Sequence, residues 1–358
     1  MSQLTFCAIN LIALLCLSAS DKKNSKILLY IGIIILTLAA GLRNENVGVD
    51  THAYIYSFNN NFAVSWQFTE AGFRTVSRFL ISLFHGNSTW LLVIYAFITN
   101  ALILVRLWDF RFKCSYSYMV FLYLTVNYIN TMNIMRQFVA IAIVFFATRY
   151  LEKKNYISFV VLLAIATSIH STALLGMVFL IVYFWENASK KQKKWLWIPI
   201  AVIIPIALYY VLGYESGHIT NYFSQHTSNL NITYIYRVIA FVLVMVLQAL
   251  DKQIVFKRNP QRSPSIEENI TPIKLKDKEV VFYIIGLGTS SLGMFFSFLS
   301  RLGMYYLMYE MVFWGRAVKR GKSKQIALVL SLIYAIYVFG MEIIYNGSKI
   351  FPYGIHWF

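Results

Sequence analysis

The chain has 358 residues, of which 58% are hydrophobic and only 13% are charged, and its formal net charge is +17. Soluble domains carry about 25% charged residues, so this composition excludes an ordinary soluble globule. The basic residues stand in short runs between long apolar segments. The positive-inside rule of membrane proteins produces this pattern, so the charge does not require a nucleic-acid partner.

A helix needs about 20 apolar residues to cross the hydrocarbon core of a membrane. Ten segments of this kind follow one another along the chain, beginning near Leu4, Lys26, Thr89, Ser117, Ile134, Trp195, Tyr234, Glu279, Leu302 and Gln325. Residues 3–19 have the length of a signal peptide but no basic region before them. We therefore expect a retained span there.

The apolar stretch from Tyr156 to Trp185 is too long for one span and has lysines beyond both ends. Two short helices that turn at residues 168–172, near the outer face, account for this pattern. They bring the expected total to about twelve spans. The predicted fold class is an all-α, polytopic integral membrane protein, and the backbone at the turn must face protein or a water-filled cavity.

Basic clusters occur in every second connection, which assigns those connections to the cytoplasm and both termini to the outside. Residues 1–250 then form an N-terminal membrane half with an outer loop at residues 42–87. Residues 251–278 form a cytoplasmic linker with prolines among charges, and residues 279–358 form a C-terminal membrane half.

The connections left for the outer face carry mostly arginine as their basic residue: Arg43, Arg74, Arg78, Arg136, Arg237 and Arg301, with Lys349. Guanidinium groups bind phosphate oxygens bidentately and stay charged in any environment. Because ionisable residues near span ends are candidates for functional sites, we expect Arg43, Arg136 and Arg301 to bind phosphate together. The alternative for each is an extension of the side chain toward lipid headgroups.

The outer loop combines carboxylates, arginines and aromatic rings, which suits a polar sugar: Arg43, Glu45, Asp50, Tyr54, Tyr56, Trp66, Glu70 and Arg74. Its later part, residues 73–85, places apolar side chains on one helical face. This spacing predicts an amphipathic helix that either lies in the membrane interface or turns back into the protein.

Motifs for nucleotide, metal and hydrolase chemistry are missing from the sequence. The nearest match to a metal-binding pair of carboxylates is the segment 277–279, which lies in a basic cytoplasmic connection. The cysteines, Cys7, Cys16 and Cys114, have neither zinc nor disulfide spacing. We therefore expect no metal and no cofactor.

Three local patterns occur in order: Arg43 before Gly48-Val49-Asp50-Thr51 and Tyr54, the segment Asn133 to Gln137 at the start of a span, and the segment Ala166 to Ala173 around His170. With Arg301, Tyr305 and the C-terminal Pro352-Tyr353-Gly354, they resemble the EpsG-like family of polysaccharide polymerases. The resemblance extends from Gly41 to the C-terminus.

The resemblance implies a membrane glycosyltransferase of GT-C-like architecture, related in task to Wzy polymerases. Such an enzyme transfers a growing glycan from undecaprenyl diphosphate to the next lipid-linked repeat, at the outer face of the bacterial inner membrane, without nucleotide or metal. Its partners are the lipid-linked oligosaccharide and membrane lipids, with a flippase and a chain-length regulator as candidate protein partners and no nucleic acid. The product, O antigen, capsule or exopolysaccharide, stays open.

Under this hypothesis, the outer arginines stabilise the charge on the leaving diphosphate, and a carboxylate deprotonates the acceptor hydroxyl. Asp50 and Glu45 are the candidates for this base, with a structural ion pair as the alternative for either. His170 is a third catalytic candidate that either positions substrate or only forms a hydrogen bond in the helix turn. The predicted substrate-binding residues are Arg43, Arg74, Arg136, Gln137, Arg301, Tyr54 and Tyr305.

Two other membrane activities also fit the composition. A flippase of lipid-linked sugars should have its arginines spread through the midplane of both halves, whereas here they gather at the outer ends. An acyltransferase that modifies surface sugars should pair a histidine with a carboxylate facing the inside, and no such pair stands out in the sequence. Both remain alternatives to the polymerase.

Overall fold

The structure is a computed structural model that describes residues 3–60, 70–187, 232–258, 273–293, 297–319 and 323–354. Every regular element in these ranges is a helix, so the prediction of a helical fold is confirmed. The span predicted to begin near Trp195 and the middle of the predicted linker, residues 259–272, lie outside the described residues.

The helices follow one another with short connections. In chain order they are α1 (Gln3–Lys23), α2 (Lys26–Gly41), α3 (Thr51–Asn59), α4 (Ala71–Leu83), α5 (Ser88–Asp109), α6 (Tyr116–Leu122), α7 (Tyr128–Asn133), α8 (Met135–Glu152), α9 (Tyr156–Ile169), α10 (Met177–Asn187), α11 (Ile232–Arg258), α12 (Lys278–Leu292), α13 (Ser297–Lys319) and α14 (Lys324–Tyr345). A π-helical turn (Tyr123–Asn127) joins α6 to α7, and a 3₁₀ helix (Ser171–Gly176) leads into α10.

Within the described ranges, 4 helices are long and apolar enough to cross a membrane: Gln3–Lys23, Ser88–Asp109, Ile232–Leu250 and Lys324–Tyr345. Large aliphatic side chains stand exposed on such helices, among them Leu4 at 80% and Ile344 at 74% of full exposure. Apolar surface of this extent is typical of a face that meets lipid. The chain is therefore a helical membrane protein, while the total of about twelve spans and the GT-C-like architecture remain predictions.

The chain divides into two compact units. Unit 1 comprises Met1–Arg106, Asn127–Thr227 and Tyr345–Phe358, and unit 2 comprises Leu107–Val126 and Ser228–Ile344. The division into membrane halves at residues 251–278 remains a prediction. Helix α11 continues into the first residues of that segment before it ends at Arg258.

Helix α8 forms the core of unit 1. Its residues between Met135 and Leu151 are almost all buried, as expected for a helix that is apolar on every side. Helix α5 is tied to α8 by the buried Arg106, which binds the carboxylate of Glu152 and the hydroxyl of Thr148. Arg106 thereby fixes the end of α8, and the start of the same helix carries part of the candidate site described below.

The long apolar stretch that starts at Tyr156 folds as the predicted pair of short helices. Helix α9 ends at Ile169, His170 is extended (φ −149°, ψ 118°), and the chain continues as the 3₁₀ helix and α10. The rings of Tyr156 and Phe184, at the far ends of the pair, have centroids 5.5 Å apart. The two helices are therefore antiparallel, and the predicted turn at residues 168–172 is confirmed.

Unit 2 contains a buried ion pair between two of its helices. Arg237 of α11 binds the carboxylate of Glu310 of α13 through Nε at 3.0 Å and through a terminal nitrogen at 2.6 Å. The hydroxyl of Tyr283 in α12 donates to the same carboxylate at 2.9 Å, and Tyr334 of α14 also forms a hydrogen bond with it. Both oxygens of this buried carboxylate thus have protein donors, as a buried charge requires.

We expect Glu310→Ala to lower the free energy of unfolding by about 3–5 kcal/mol, because it leaves Arg237 charged and buried without its partner. The double variant Arg237→Met, Glu310→Ala should recover much of the loss. The measurement is the thermal unfolding temperature of the purified protein in detergent. Asp277→Ala is the control, since its ion pair with Arg316 is more exposed and should contribute less. Equal losses from both single variants would contradict the prediction.

Candidate functional site

One carboxylate in unit 1 gathers polar groups from separate parts of the chain. Oε1 of Glu70 accepts a hydrogen bond from the backbone N–H of Ser171 at 2.8 Å and lies 3.0 Å from Nδ1 of His170. Its Oε2 lies 2.9 Å from a terminal nitrogen of Arg136. These four residues form the Glu70 cluster. The side chains of Glu70, His170 and Arg136 are only 9%, 12% and 16% exposed, so their charges interact in a largely desolvated place.

Local structure explains why these groups meet. Glu70 is the N-cap residue of α4, but its side chain does not cap that helix. Arg136 lies in the first turn of α8, and His170 ends α9. Gly72 lets the start of α4 touch the end of α9, because a Cβ atom at this position would lie 2.6 Å from the backbone oxygen of Ser168. Only a residue without a Cβ atom permits this approach.

The surroundings of Glu70 fix its protonation state. Burial would raise the pKa of Glu70, but the hydrogen bond from His170, the charge of Arg136 and the N–H of Ser171 hold that pKa at about 2. The carboxylate is therefore ionised near neutral pH and is only an acceptor. Nδ1 of His170 must then carry the proton of their hydrogen bond, and in the neutral ring the lone pair is on Nε2.

The Glu70 cluster has hydrogen-bonding capacity that its own groups do not use. The Arg136 nitrogen and Oε2 of Glu70 are close enough for an ion pair, yet neither forms an aligned hydrogen bond in the described part of the chain, and Oγ of Ser171 has none either. In unit 2, by contrast, Arg237 and Glu310 form aligned hydrogen bonds through both oxygens. Buried polar atoms without hydrogen bonds are rare. The Glu70 cluster is thus suited to hydroxyl or phosphate oxygens of a ligand.

Aromatic residues of α3 and α4 adjoin the Glu70 cluster. The ring centroid of Phe73 lies 6.0 Å from Cζ of Arg136, and the hydroxyl of Tyr54 lies against the backbone N–H of Arg136. Phe58 and Tyr95 pack on Phe73. This apolar wall strengthens electrostatic interactions in the cluster, because charges act more strongly on one another where water is excluded.

The loop pattern around Gly48 and the span-start pattern around Asn133 fold as one structure. Gly48 has a left-handed backbone (φ 96°), and a Cβ atom there would meet Oδ1 of Asn133 at 2.8 Å. The same oxygen accepts a hydrogen bond from the N–H of Val49 at 2.8 Å. Since Asn133 closely precedes Arg136, the loop before α3 is held next to the Glu70 cluster.

The C-terminal pattern joins the same assembly. The N–H of Asn44 donates to the backbone oxygen of Gly354 at 2.8 Å, and the N–H of Gly48 donates to that of Lys349 at 2.9 Å. The hydroxyl of Tyr353 donates to the backbone oxygen of Ala39. Segments far apart in the sequence thus support one loop in unit 1.

Arg43 holds this loop in place. It is only 2% exposed, and its guanidinium donates to Oγ1 of Thr51 at 3.1 Å, to the backbone oxygen of Ala40 at 2.5 Å and to that of Met132 at 3.0 Å. Each of its nitrogens therefore has a protein acceptor. This geometry favours a structural role for Arg43 over the predicted phosphate contact.

The two carboxylates predicted as candidate bases lie in the loop before α3. Asp50 and Glu45 are both half-buried, and Asp50 lies close enough to Tyr54 to affect the ionisation of its hydroxyl. Asp50 is therefore a neighbour of the Glu70 cluster through Tyr54. The choice of base between Asp50, Glu45 and His170 remains a prediction.

The remaining predicted residues differ in burial and lie in both units. Gln137 is buried next to Arg136 in α8, and Arg74 is half-buried in α4. In unit 2, Arg301 is exposed and Tyr305 is buried, both in α13. The predicted convergence of three arginines on one phosphate group remains a prediction.

The sequence places Glu70 among the outer-loop residues that suit a sugar, but it does not mark Glu70 as a catalytic or substrate-binding residue. It shares the outer loop 42–87 with the carboxylates of Glu45 and Asp50, and only its position directly before an amphipathic helix sets it apart. Its partner His170 is 100 residues away. No local pattern connects the two.

Comparison with known proteins identifies the family of the chain. No curated protein and no solved structure shows significant similarity to the chain. The model of the EpsG family matches residues 26–355, a range that contains the Glu70 cluster and the loop assembled around Gly48. The chain therefore belongs to the EpsG family, the family of polysaccharide polymerases that its motifs resemble.

Proposed function

We propose that the protein is a membrane glycosyltransferase that polymerises lipid-diphosphate-linked oligosaccharide repeats into O antigen, capsule or exopolysaccharide. The observation that carries the proposal is the Glu70 cluster, in which one carboxylate holds a guanidinium and an oriented imidazole. The guanidinium suits a diphosphate, and the imidazole suits proton transfer from a sugar hydroxyl.

The reaction that we assign to the Glu70 cluster is a nucleophilic displacement at the anomeric carbon of the donor sugar. The acceptor hydroxyl oxygen forms a bond to the anomeric carbon of the donor, while the bond from that carbon to the lipid diphosphate breaks. The hydroxyl proton passes to Nε2 of His170, and the electron pair of the broken bond stays on the diphosphate, whose charge Arg136 stabilises. Glu70 orients the imidazole and stabilises the imidazolium. This scheme needs neither nucleotide nor metal.

His170 is the preferred base because an ionised carboxylate fixes its tautomer and its orientation. Asp50 and Glu45, in the loop next to the cluster, are the alternatives. Arg136 is the preferred diphosphate ligand because one of its terminal nitrogens has no aligned hydrogen bond among the described residues, whereas each nitrogen of Arg43 has a protein acceptor.

The proposed location is the outer face of the bacterial inner membrane, with an undecaprenyl diphosphate carrier as donor. The basic runs of the sequence assign both the loop with Glu70 and the turn with His170 to that face. The contact between these two residues supports their assignment to one side. A flippase that delivers the substrate and a chain-length regulator are the proposed protein partners.

Deletion of the gene should leave surface glycans with a single repeat per carrier, because only chain extension is lost. The measurement is glycan length on gels and by mass spectrometry, in the deletion strain and in the same strain carrying the gene on a plasmid. Complete loss of surface repeats, including single ones, would contradict the polymerase and favour a flippase, whose absence keeps every repeat inside.

A further inference from the structure

Helix α4 carries an exposed apolar stripe in addition to its buried face. Phe73, Ser77 and Leu80 are buried against the protein. Val76, Phe79 and Leu83, which are three and four residues apart and thus lie on one face, are 40%, 64% and 55% exposed. The helix therefore has apolar surface in addition to the face that packs in unit 1.

The third side of α4 is polar. At about 100° per residue, Arg74, Arg78 and Ser82 fall together on a face centred roughly 130° from the exposed stripe, and Thr75 lies at the border between the two. Arg78, Thr75 and Ser82 are exposed, and Arg74 is half-buried. A helix with one face in the protein, one apolar face outward and one cationic face fits the boundary between lipid chains and phosphates.

The length of α4 and its neighbours point to the same boundary. Its 13 residues measure about 20 Å, too short for a hydrocarbon core of about 30 Å. Phe84, directly after α4, stacks on Trp90 with ring centroids 5.5 Å apart. Trp90 stands near the start of the span α5 and is 40% exposed, and tryptophans at span ends mark the interface.

We propose that α4 lies in the membrane interface, with Val76, Phe79 and Leu83 among the lipid chains and Arg74 and Arg78 among the lipid phosphates. Because Glu70 directly precedes α4, the helix then holds the Glu70 cluster at headgroup depth. One consequence rests on the proposed function. At this depth, the diphosphate of a lipid-linked substrate reaches Arg136 while its isoprenoid chain stays in the membrane.

Nitroxide labels at two exposed positions of α4 test the location of the helix. Phe79→Cys reports the apolar stripe and Arg78→Cys the polar face, in the full-length protein with Cys7 and Cys16 replaced by alanine and the buried Cys114 retained. In liposomes of phosphatidylethanolamine and phosphatidylglycerol, power saturation compares collisions with oxygen, which dissolves in lipid chains, and with a nickel chelate, which stays in water. We expect oxygen to dominate at position 79 and the chelate at position 78.

Two outcomes overturn the proposal. Equal nickel access at both positions means that α4 stands in water. Dipolar broadening at position 79 that disappears on dilution with unlabelled protein means that the stripe meets a second copy of the chain. Neither outcome depends on enzymatic activity, so the location of α4 is tested even if the protein is not a polymerase.

A functional comparison tests the consequence for the substrate. Phe79→Asp should reduce chain extension several-fold, because a charge in the stripe opposes seating in lipid. Ser82→Asp, on the polar face of the same helix, should leave chain length unchanged. Equal effects, or none from Phe79→Asp in a strain whose wild-type protein extends chains, would contradict the role of α4 in presenting the site.

Discussion

His170→Asn should reduce chain extension by a factor of about 10² to 10⁴, the usual range for loss of a general base. Asparagine is chosen because its amide N–H can still donate to Glu70 as Nδ1 does, while no basic nitrogen remains at the position of Nε2. The measurement is the rate of polymer formation from purified lipid-linked repeats by the purified protein. The thermal unfolding temperature should stay close to that of the wild type.

The carboxylates of the neighbouring loop are the matched controls. Asp50→Asn and Glu45→Gln should extend chains at rates near the wild type, whereas Glu70→Gln should lose activity because it no longer stabilises the imidazolium. The pH profile gives a second readout. Since the pKa of Glu70 is about 2, a decline of activity on acidification between about pH 8 and pH 5 belongs to a histidine. Full activity of His170→Asn together with an inactive Asp50→Asn would move the base to Asp50.

Arg136→Lys should slow chain extension nearly as much as Arg136→Ala. Lysine keeps the charge next to Glu70 but loses the planar fork that binds two phosphate oxygens. Charge-assisted hydrogen bonds contribute roughly 1.5–3 kcal/mol each, and about 1.4 kcal/mol corresponds to tenfold in rate. One lost contact should therefore slow the reaction about ten- to a hundredfold. The same in vitro assay measures it, with protein level in the membrane as the check on folding.

Arg78→Lys is the control for a purely electrostatic effect, because Arg78 is exposed on the polar face of α4 and both side chains suit a lipid headgroup. It should extend chains normally. Wild-type rates from Arg136→Lys would exclude the diphosphate contact and leave Arg136 as a structural partner of Glu70.

Several elements of the fold were predictable because their signals are local. Length and hydropathy locate α1, α5 and α14, since each reflects the thickness of the hydrocarbon core. The turn at residues 168–172 was predictable because serine, histidine and threonine interrupt an apolar run that is too long for one helix. The short helix α4 follows from the spacing of its apolar residues.

The partners of individual charges were not predictable. Placement near a span end applied equally to Arg43, Arg136 and Arg237, but their partners differ. Backbone oxygens hold Arg43, Glu310 binds Arg237 through both oxygens, and Arg136 has a terminal nitrogen without an aligned hydrogen bond in the described part of the chain. Periodicity tells which face of a helix is buried but not which distant segment covers it. The role of Glu70 was not predictable for the same reason, since it depends on a tertiary contact with His170.

The close contact of Gly72 with Ser168 also restricts how this protein can evolve. The spacing between Glu70 and His170 is set there by the absence of a side chain, so almost any substitution at position 72 pushes two helices apart without altering a charged group. A related protein that adapts to a new sugar can therefore seldom change residue 72. Substitutions are accommodated more easily at open positions such as Gly340 in α14, where an added Cβ atom would meet nothing within 4 Å.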